Sequence, residues 1–172
     1  VTTLDTPEGT ITLGGMAKGA GMLAPGLATM LVVITTDAVM ECEGLNSALR
    51  AATRVSFDRL DSDGCMSTND QVTLMASGAS GIAPDAVEFQ RVLTQLCLAL
   101  SHQLLGDAEG SSHDIAIRVE GAESEDDAVA VGRAVARNNL FKAAMFGGDP
   151  NWGRVLAAIG TVDASFDVYG VD

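Results

Sequence analysis

Apolar and polar positions along the chain follow two rhythms, one of strands and one of helices. Ile11 to Leu13 reads as a short strand, and the glycine-rich stretch Gly14 to Gly26 has a composition that favours turns and close backbone approach. Met30 to Thr36 switches to β-branched and long apolar residues, which predicts a central strand covered on both faces. Leu45, Leu49, Ala52 and Phe57 recur roughly at helical spacing and predict an amphipathic helix over Asn46 to Leu60. A polar loop from Asp61 to Asp70 leads into a strand at Gln71 to Ala76, which Gly78 to Gly81 ends. Pro84 opens a longer helix running through Leu105.

Beyond a loop at Gly106 to Ser112, Asp114 to Glu120 alternates as a strand does, and Glu123 to Arg137 reads as a helix whose acidic first turn suits the helix dipole. Phe141 to Gly147 is a short apolar segment before a turn at Gly148 to Gly153. Arg154 to Gly160 begins another helix, and Phe166 to Val171 reads as a terminal strand. No internal repeat, low-complexity linker or domain boundary stands out. The pattern is that of one layered domain, either α/β or α+β.

Composition narrows this picture. The chain has 172 residues, 47% of them hydrophobic, but only five Phe, one Trp and one Tyr. The core must therefore be built from Ala, Val, Leu, Ile and Met, as in ordinary soluble domains. Ten Lys and Arg against 23 Asp and Glu leave a formal charge of −13. Such a surface repels phosphate backbones and argues against nucleic-acid or anionic-membrane partners. Cys42, Cys65 and Cys97 are too scattered for a disulfide framework or a thiolate metal site, which suits a reducing, cytoplasmic setting. The apolar run Met30 to Ile34 is far too short to span a membrane. The Val at position 1 and the strand-like ending suggest a processed or truncated chain.

The candidate chemistry centres on Thr29. Gly19, Gly21, Pro25 and Gly26 place a tightly turned backbone just before a predicted buried strand. Such a junction can press the Thr29 hydroxyl against the carbonyl of Ala28. An acyl shift from nitrogen to oxygen, followed by hydrolysis, would free the Thr29 α-amine. With a reference pKa of about 8, that amine can act as the base for its own hydroxyl. No Ser, His and acid constellation offers an alternative, and neither His102 nor His113 has a paired acid or ligand spacing.

The run from Met16 to Leu31, with Lys18-Gly19-Ala20-Gly21 and Ala28-Thr29 inside it, resembles the cleavage region of the ornithine acetyltransferase family of arginine biosynthesis, also called bifunctional glutamate N-acetyltransferase. Three further stretches match in order: Asp63-Gly64-Cys65-Met66-Ser67-Thr68-Asn69-Asp70, Glu109-Gly110, and Gly147-Gly148-Asp149-Pro150-Asn151-Trp152-Gly153-Arg154. The resemblance runs through essentially the whole chain. It implies an α+β fold, a layered α/β/β/α sandwich, in a precursor that cleaves itself between Ala28 and Thr29. Residues 1–28 would then end the first chain, and 29–172 would begin the second and carry its central part. The family commonly assembles its paired chains as a heterotetramer.

The activity implied is acetyl transfer from N-acetylornithine to glutamate through an acetyl-Thr29 ester. Some members also take acetyl-CoA as co-substrate, and none of this requires a cofactor or metal. Carried over, Thr29 is nucleophile and base, while Lys18, Thr29 and Glu109 contact substrate. Lys18 would pair with a substrate carboxylate and Glu109 with an ammonium group. Asn69, Asp70, Asp149, Asn151 and Arg154 would support the site.

Rival readings attach to the same residues. Asp61, Asp63, Asn69 and Asp70 are hard oxygen donors, but they lack the calcium-loop pattern and better suit side chains that cap backbone N–H groups. The segment Gly147 to Arg154 lacks the P-loop lysine and suits a rigid turn bordering the acyl site, with Trp152 as a core or interface anchor. The parent protein could instead be a self-processing aminopeptidase or amidase in which water takes the acyl group. The chain could also be an inactive structural or interaction fragment. Two departures from the family pattern stand out: Gly26 replaces a frequent Asn, and Ser111-Ser112-His113 replaces Ala-Thr-Lys. The family's oxyanion donors, an upstream Thr-Gly pair, and its late Asn and Thr substrate contacts fall outside the chain.

Overall fold

The computed structural model describes residues 1–24, 30–66, 69–163, 166 and 170–171. It divides into two compact units, Val1–Glu109 and Gly110–Asp172, where the sequence shows no boundary. The first unit holds four strands, β1 (Thr2–Thr6), β2 (Gly9–Lys18), β3 (Leu31–Thr36) and β4 (Gln71–Ala76). It also holds helices α1 (Cys42–Arg54) and α2 (Ala86–Gly106), with a single 3-10 turn at Phe57–Arg59. The strands lie in the order β1-β2-β3-β4, antiparallel for the first two pairs and parallel for β3 with β4.

Each element follows from local chemistry. The β1–β2 hairpin turns at Thr6-Pro7-Glu8-Gly9, where Gly9 takes φ 142° and the Thr6 hydroxyl donates to the Gly9 carbonyl at 2.9 Å. Helix α2 begins at Asp85, whose carboxylate accepts the N–H groups of Val87 and Glu88, both at 3.0 Å. Two orphan donors of the first turn are satisfied that way.

The core of this unit sits between one face of the sheet and the two helices. Ile11, Leu13, Val32 and Ile34 from the sheet pack with Phe89, Leu93, Cys97 and Leu100 of α2 and Ala48 and Ala52 of α1, all buried. The glycine-rich stretch is only partly the turn region expected. Gly14 and Gly15 lie within β2, and a β-carbon on Gly15 would fall 2.9 Å from Leu100 Cδ1 and 3.3 Å from Ile34 Cγ1. The missing side chain lets α2 settle onto the strand.

Strand β3 is central, as expected, but the helices cover only one of its faces. Val32, Ile34 and Thr36 are buried while Leu31, Val33 and Thr35 are exposed. Their register partners Met16 and Met75 share that open face.

The second unit is helical among its described residues, with α3 (Glu125–Arg137), α4 (Asn139–Phe146) and α5 (Trp152–Ile159). The strand expected at Asp114 to Glu120 is not formed. A strand needs a ladder partner, and this segment has none among the described residues. Its alternation instead lays Ile115 against the cluster of Val135, Phe141 and Ala158, and brings Val119 to 3.7 Å from where a β-carbon on Gly132 of α3 would lie. The terminal strand expected at Phe166 to Val171 lies mostly outside the described residues.

Candidate active site

Two backbone crossings build one end of the first unit's sheet. Lys18 ends β2 directly opposite Leu31, the first residue of β3, and Leu31 faces Gln71, the first of β4. The Lys18 side chain is exposed there. Just beyond it the Ala20 carbonyl accepts the Glu109 N–H at 2.6 Å, so the loop after α2 is stitched to the segment after β2. Gly21 then passes between two acids. A β-carbon on it would lie 3.7 Å from Asp63 Oδ2 and 3.7 Å from Glu109 Oε2.

Met22 follows in the left-handed region at φ 56°, the sole non-glycine residue so placed among those described. Holding it there costs about 1–3 kcal/mol, a cost the surroundings must offset. Asp63 contributes, since its Oδ2 accepts the Met22 N–H at 2.8 Å. Ser62 adds a two-way bridge, its N–H donating to the Leu23 carbonyl at 3.1 Å and its hydroxyl accepting the Leu23 N–H at 3.3 Å. Leu23 and Ala24 are buried immediately afterwards.

The loop that supplies these groups is itself held by its acids. Asp61 Oδ1 accepts the Gly64 N–H and Asp63 Oδ1 accepts the Cys65 N–H, each at 2.9 Å, with Gly64 at φ 73°. Asp70 closes the loop, its Oδ1 accepting the Met30 N–H at 3.1 Å while the Gln71 N–H donates to the Met30 carbonyl at 2.9 Å. These carboxylates thus serve as caps for backbone N–H groups, as the sequence suggests. Among the described residues no group of three or more His, Cys, Asp or Glu is placed to hold a metal ion.

Lys18, Asp70 and Glu109 therefore lie at the same end of the sheet, with Asn69 exposed beside Asp70 in sequence. Thr29 and Ala28 lie outside the described residues, together with Pro25, Gly26, Ser67 and Thr68. Asp63 and Ser62 are the residues that sequence reasoning undervalued. The Asp-Ser-Asp-Gly run signals a capped turn, yet nothing in it announces a bond to a residue 41 positions earlier.

The late motif forms a hydrogen-bonded turn in the second unit. Asn151 caps α5 by accepting the Arg154 N–H at 3.2 Å, and its amide nitrogen donates to Asp149 Oδ2 at 3.0 Å. Arg154 Nη1 donates to the Leu140 carbonyl at 2.7 Å, tying the turn to α4. The rigid turn expected is present. Of the two anchoring roles expected for Trp152, core and interface, the core one fails, because the residue is 75% exposed in its unit.

The ordered motifs are shared with known proteins. The family described as the ArgJ family matches residues 1–172. The chain belongs to the ArgJ family.

Among similar proteins, the arginine biosynthesis bifunctional protein ArgJ of Thermobifida fusca is 68% identical over 156 residues, and that of Streptomyces coelicolor 65%. In each case 91% of this chain is aligned with 41% of the relative, so the chain spans well under half the length of these ArgJ proteins. A crystal structure of the arginine biosynthesis bifunctional protein ArgJ from Bacillus halodurans matches with a TM-score of 0.68 at 33% identity, over 77% of this chain and 65% of that one. The α+β class agrees with that ArgJ neighbour. No helix among the described residues is long and apolar enough to cross a membrane.

Proposed function

We propose that the protein to which this chain belongs moves acetyl from N-acetylornithine to glutamate through an ester on Thr29, exposed when the chain cleaves itself between Ala28 and Thr29. The observation that carries the reading is that exposed Lys18 and Glu109 both lie at the sheet end where β3 begins, Lys18 opposite Leu31 and the Glu109 N–H bonded to the Ala20 carbonyl, with Leu31 two residues after Thr29 in sequence. An α-amino acid presents both a carboxylate and an ammonium group. A cation and an anion at the sheet end where β3 begins suit that substrate class.

In maturation the Thr29 Oγ attacks the Ala28 carbonyl carbon, the C–N bond breaks, and the hydroxyl proton passes to the departing nitrogen. Water then hydrolyses the ester, leaving the Ala28 carboxylate and a free Thr29 amine. In turnover that amine takes the proton from Oγ as the oxygen attacks the acetyl carbonyl carbon, the amide C–N bond breaks, and the proton passes to the departing nitrogen of ornithine. Glutamate's neutral amine then attacks the acetyl ester carbon, the bond from that carbon to Oγ breaks, and a proton from the attacking nitrogen passes to Oγ through the Thr29 amine, regenerating the hydroxyl. Oxyanion stabilisation would come from donors in the rest of the protein.

Acetyl-CoA as a second donor, the absence of a required cofactor, a cytoplasmic setting and a heterotetramer of paired chains belong to the same proposal. So do the boundaries 1–28 and 29–172 of the two chains. Intact mass of the full-length protein and of its Thr29→Ala variant, followed by incubation with N-acetylornithine and glutamate, tests it. Two chains with the second starting at Thr29, and a transient gain of one acetyl group on it, are expected. Equal glutamate acetylation by Thr29→Ala would remove Thr29 from the mechanism. Release of acetate without N-acetylglutamate would point to the aminopeptidase or amidase alternative.

A further inference from the structure

We infer that Asp70, seconded by Asp63, is a positioning residue for self-cleavage, holding the backbone on both flanks of the scissile bond so that the Thr29 hydroxyl can reach the Ala28 carbonyl. The inference rests on the reading of Thr29 as a self-processing nucleophile.

Three observations support it. First, Met30, covalently joined to Thr29, has both backbone groups tied: its N–H to Asp70 Oδ1 at 3.1 Å and its carbonyl to the Gln71 N–H at 2.9 Å. Second, the upstream flank is tied from the same loop, with Asp63 on Met22 and Ser62 on Leu23, and from the loop after α2, with the Glu109 N–H on Ala20. Third, the upstream anchor sits on a residue in a sparsely populated backbone conformation, Met22 at φ 56°, a feature that accumulates where surrounding structure dictates a local geometry for function. One loop, Asp61 to Asp70, thus grips the chain on either side of residues 25–29.

The reaction explains why such a grip matters. Attack of the hydroxyl on the carbonyl of its own preceding peptide closes a five-membered ring, and only a narrow range of backbone torsions at the scissile bond brings oxygen to carbon. Misplacement by about 1 Å costs about a hundredfold in rate where geometry is the catalyst. An ionised carboxylate accepting a backbone N–H is among the stronger ways to hold that backbone.

A carboxylate on a backbone N–H is also a common structural device, and the opposite end of the same sheet supplies the comparison. There Asp37 Oδ1 accepts the Thr12 N–H at 2.8 Å, far along β2 and β3 from the cleavage segment. Freshly synthesised full-length protein is followed by intact mass for the appearance of the two chains, with melting measured in parallel. The series is the unaltered protein, Asp70→Ala, Asp70→Asn, Asp63→Ala and Asp37→Ala.

Asp70→Ala is expected to slow cleavage about tenfold or more. Asp70→Asn, whose amide oxygen still accepts the Met30 N–H, should return to within about threefold of the unaltered rate. Asp63→Ala should slow cleavage by about threefold to tenfold. Asp37→Ala should lower the melting temperature and leave the rate within about twofold, because it removes a comparable bond elsewhere. Cleavage of Asp70→Ala at the unaltered rate overturns the inference, and so does an equal slowing by Asp37→Ala. If Asp70→Ala does not fold, unaltered cleavage by Asp63→Ala overturns it. An unaltered protein that never cleaves before Thr29 overturns the proposed function as well, whereas normal cleavage with no effect at Asp70 overturns only the positioning role.

Discussion

The unit ending at Glu109 and the unit beginning at Gly110 bury apolar surface by different means. In the first, a four-stranded sheet and two helices enclose a continuous core from Leu4 to Leu104, including fully buried Phe89, Ile11, Leu13, Ile34 and Leu93. In the second, three helices close over Val135, Phe141 and Ala158, leaving Trp152, Phe146 and Leu140 on the outside. Stability in the first unit is therefore held in side chains that cannot move independently. Order in the second leans more on local hydrogen bonds at helix ends.

The sharpest way to break this contrast is to hollow out the first core. Phe89→Ala should cost about 4 kcal/mol, and amide hydrogen exchange should show the loss in α2 and the sheet while the helices from Glu125 onward keep their protection. Uniform loss across both units would mean that they do not respond separately.

The next largest effect is a pH dependence. Burial pushes the Cys97 thiol up to about 11 from its ordinary 9.0, with a hydrogen bond from Ser56 pulling the other way. The folded state thus favours the neutral thiol. The associated stability is complete below pH 9.0 and is lost as pH rises towards about 11, to the extent of about 3 kcal/mol. Unfolding in urea at pH 8 and pH 10.5 should show a steeper loss for the natural chain than for Cys97→Ala. Equal losses would place Cys97 in a wetter environment than its burial indicates.

Smaller effects are expected in the second unit. Asn151→Ala removes the cap of α5 and should cost about 1 kcal/mol, seen as faster exchange at the Arg154 amide. Trp152→Ala should change stability by less than about 0.5 kcal/mol, since its ring is exposed. A large loss there would show that the ring is covered in the assembled protein.

The same contrast governs how much was legible beforehand. Where packing is regular, the pattern succeeds: Gln71–Ala76 is a strand, Leu31–Thr36 is the core of the central one, and the long helix, expected to run from Pro84 through Leu105, spans Ala86–Gly106. It fails where a residue's purpose is set by a distant neighbour. Gly15 reads as a turn residue because the side chain that requires its smallness, Leu100, is far along the chain. Strand β1 offers a single buried apolar residue, Leu4, too little for a periodicity. Ile115, Ile117 and Val119 alternate convincingly but find no ladder among the described residues. In the candidate site, the roles of Lys18 and Glu109 came from the resemblance, and their proximity came only from the crossing of Glu109 over Ala20. The local turn at Asp149 to Arg154 was readable because its bonds span two or three residues.

Strands β2 and β3 pair from Leu13 with Thr36 to Lys18 with Leu31, and the proposed cut lies in the connection between them. Cutting there would turn a hairpin into a heterodimer without moving an atom of the ladder. The two products would share one sheet as their interface, so separating them would mean dissolving the core. Dilution alone should never part them, and denaturant should release them at the same midpoint at which the sheet is lost.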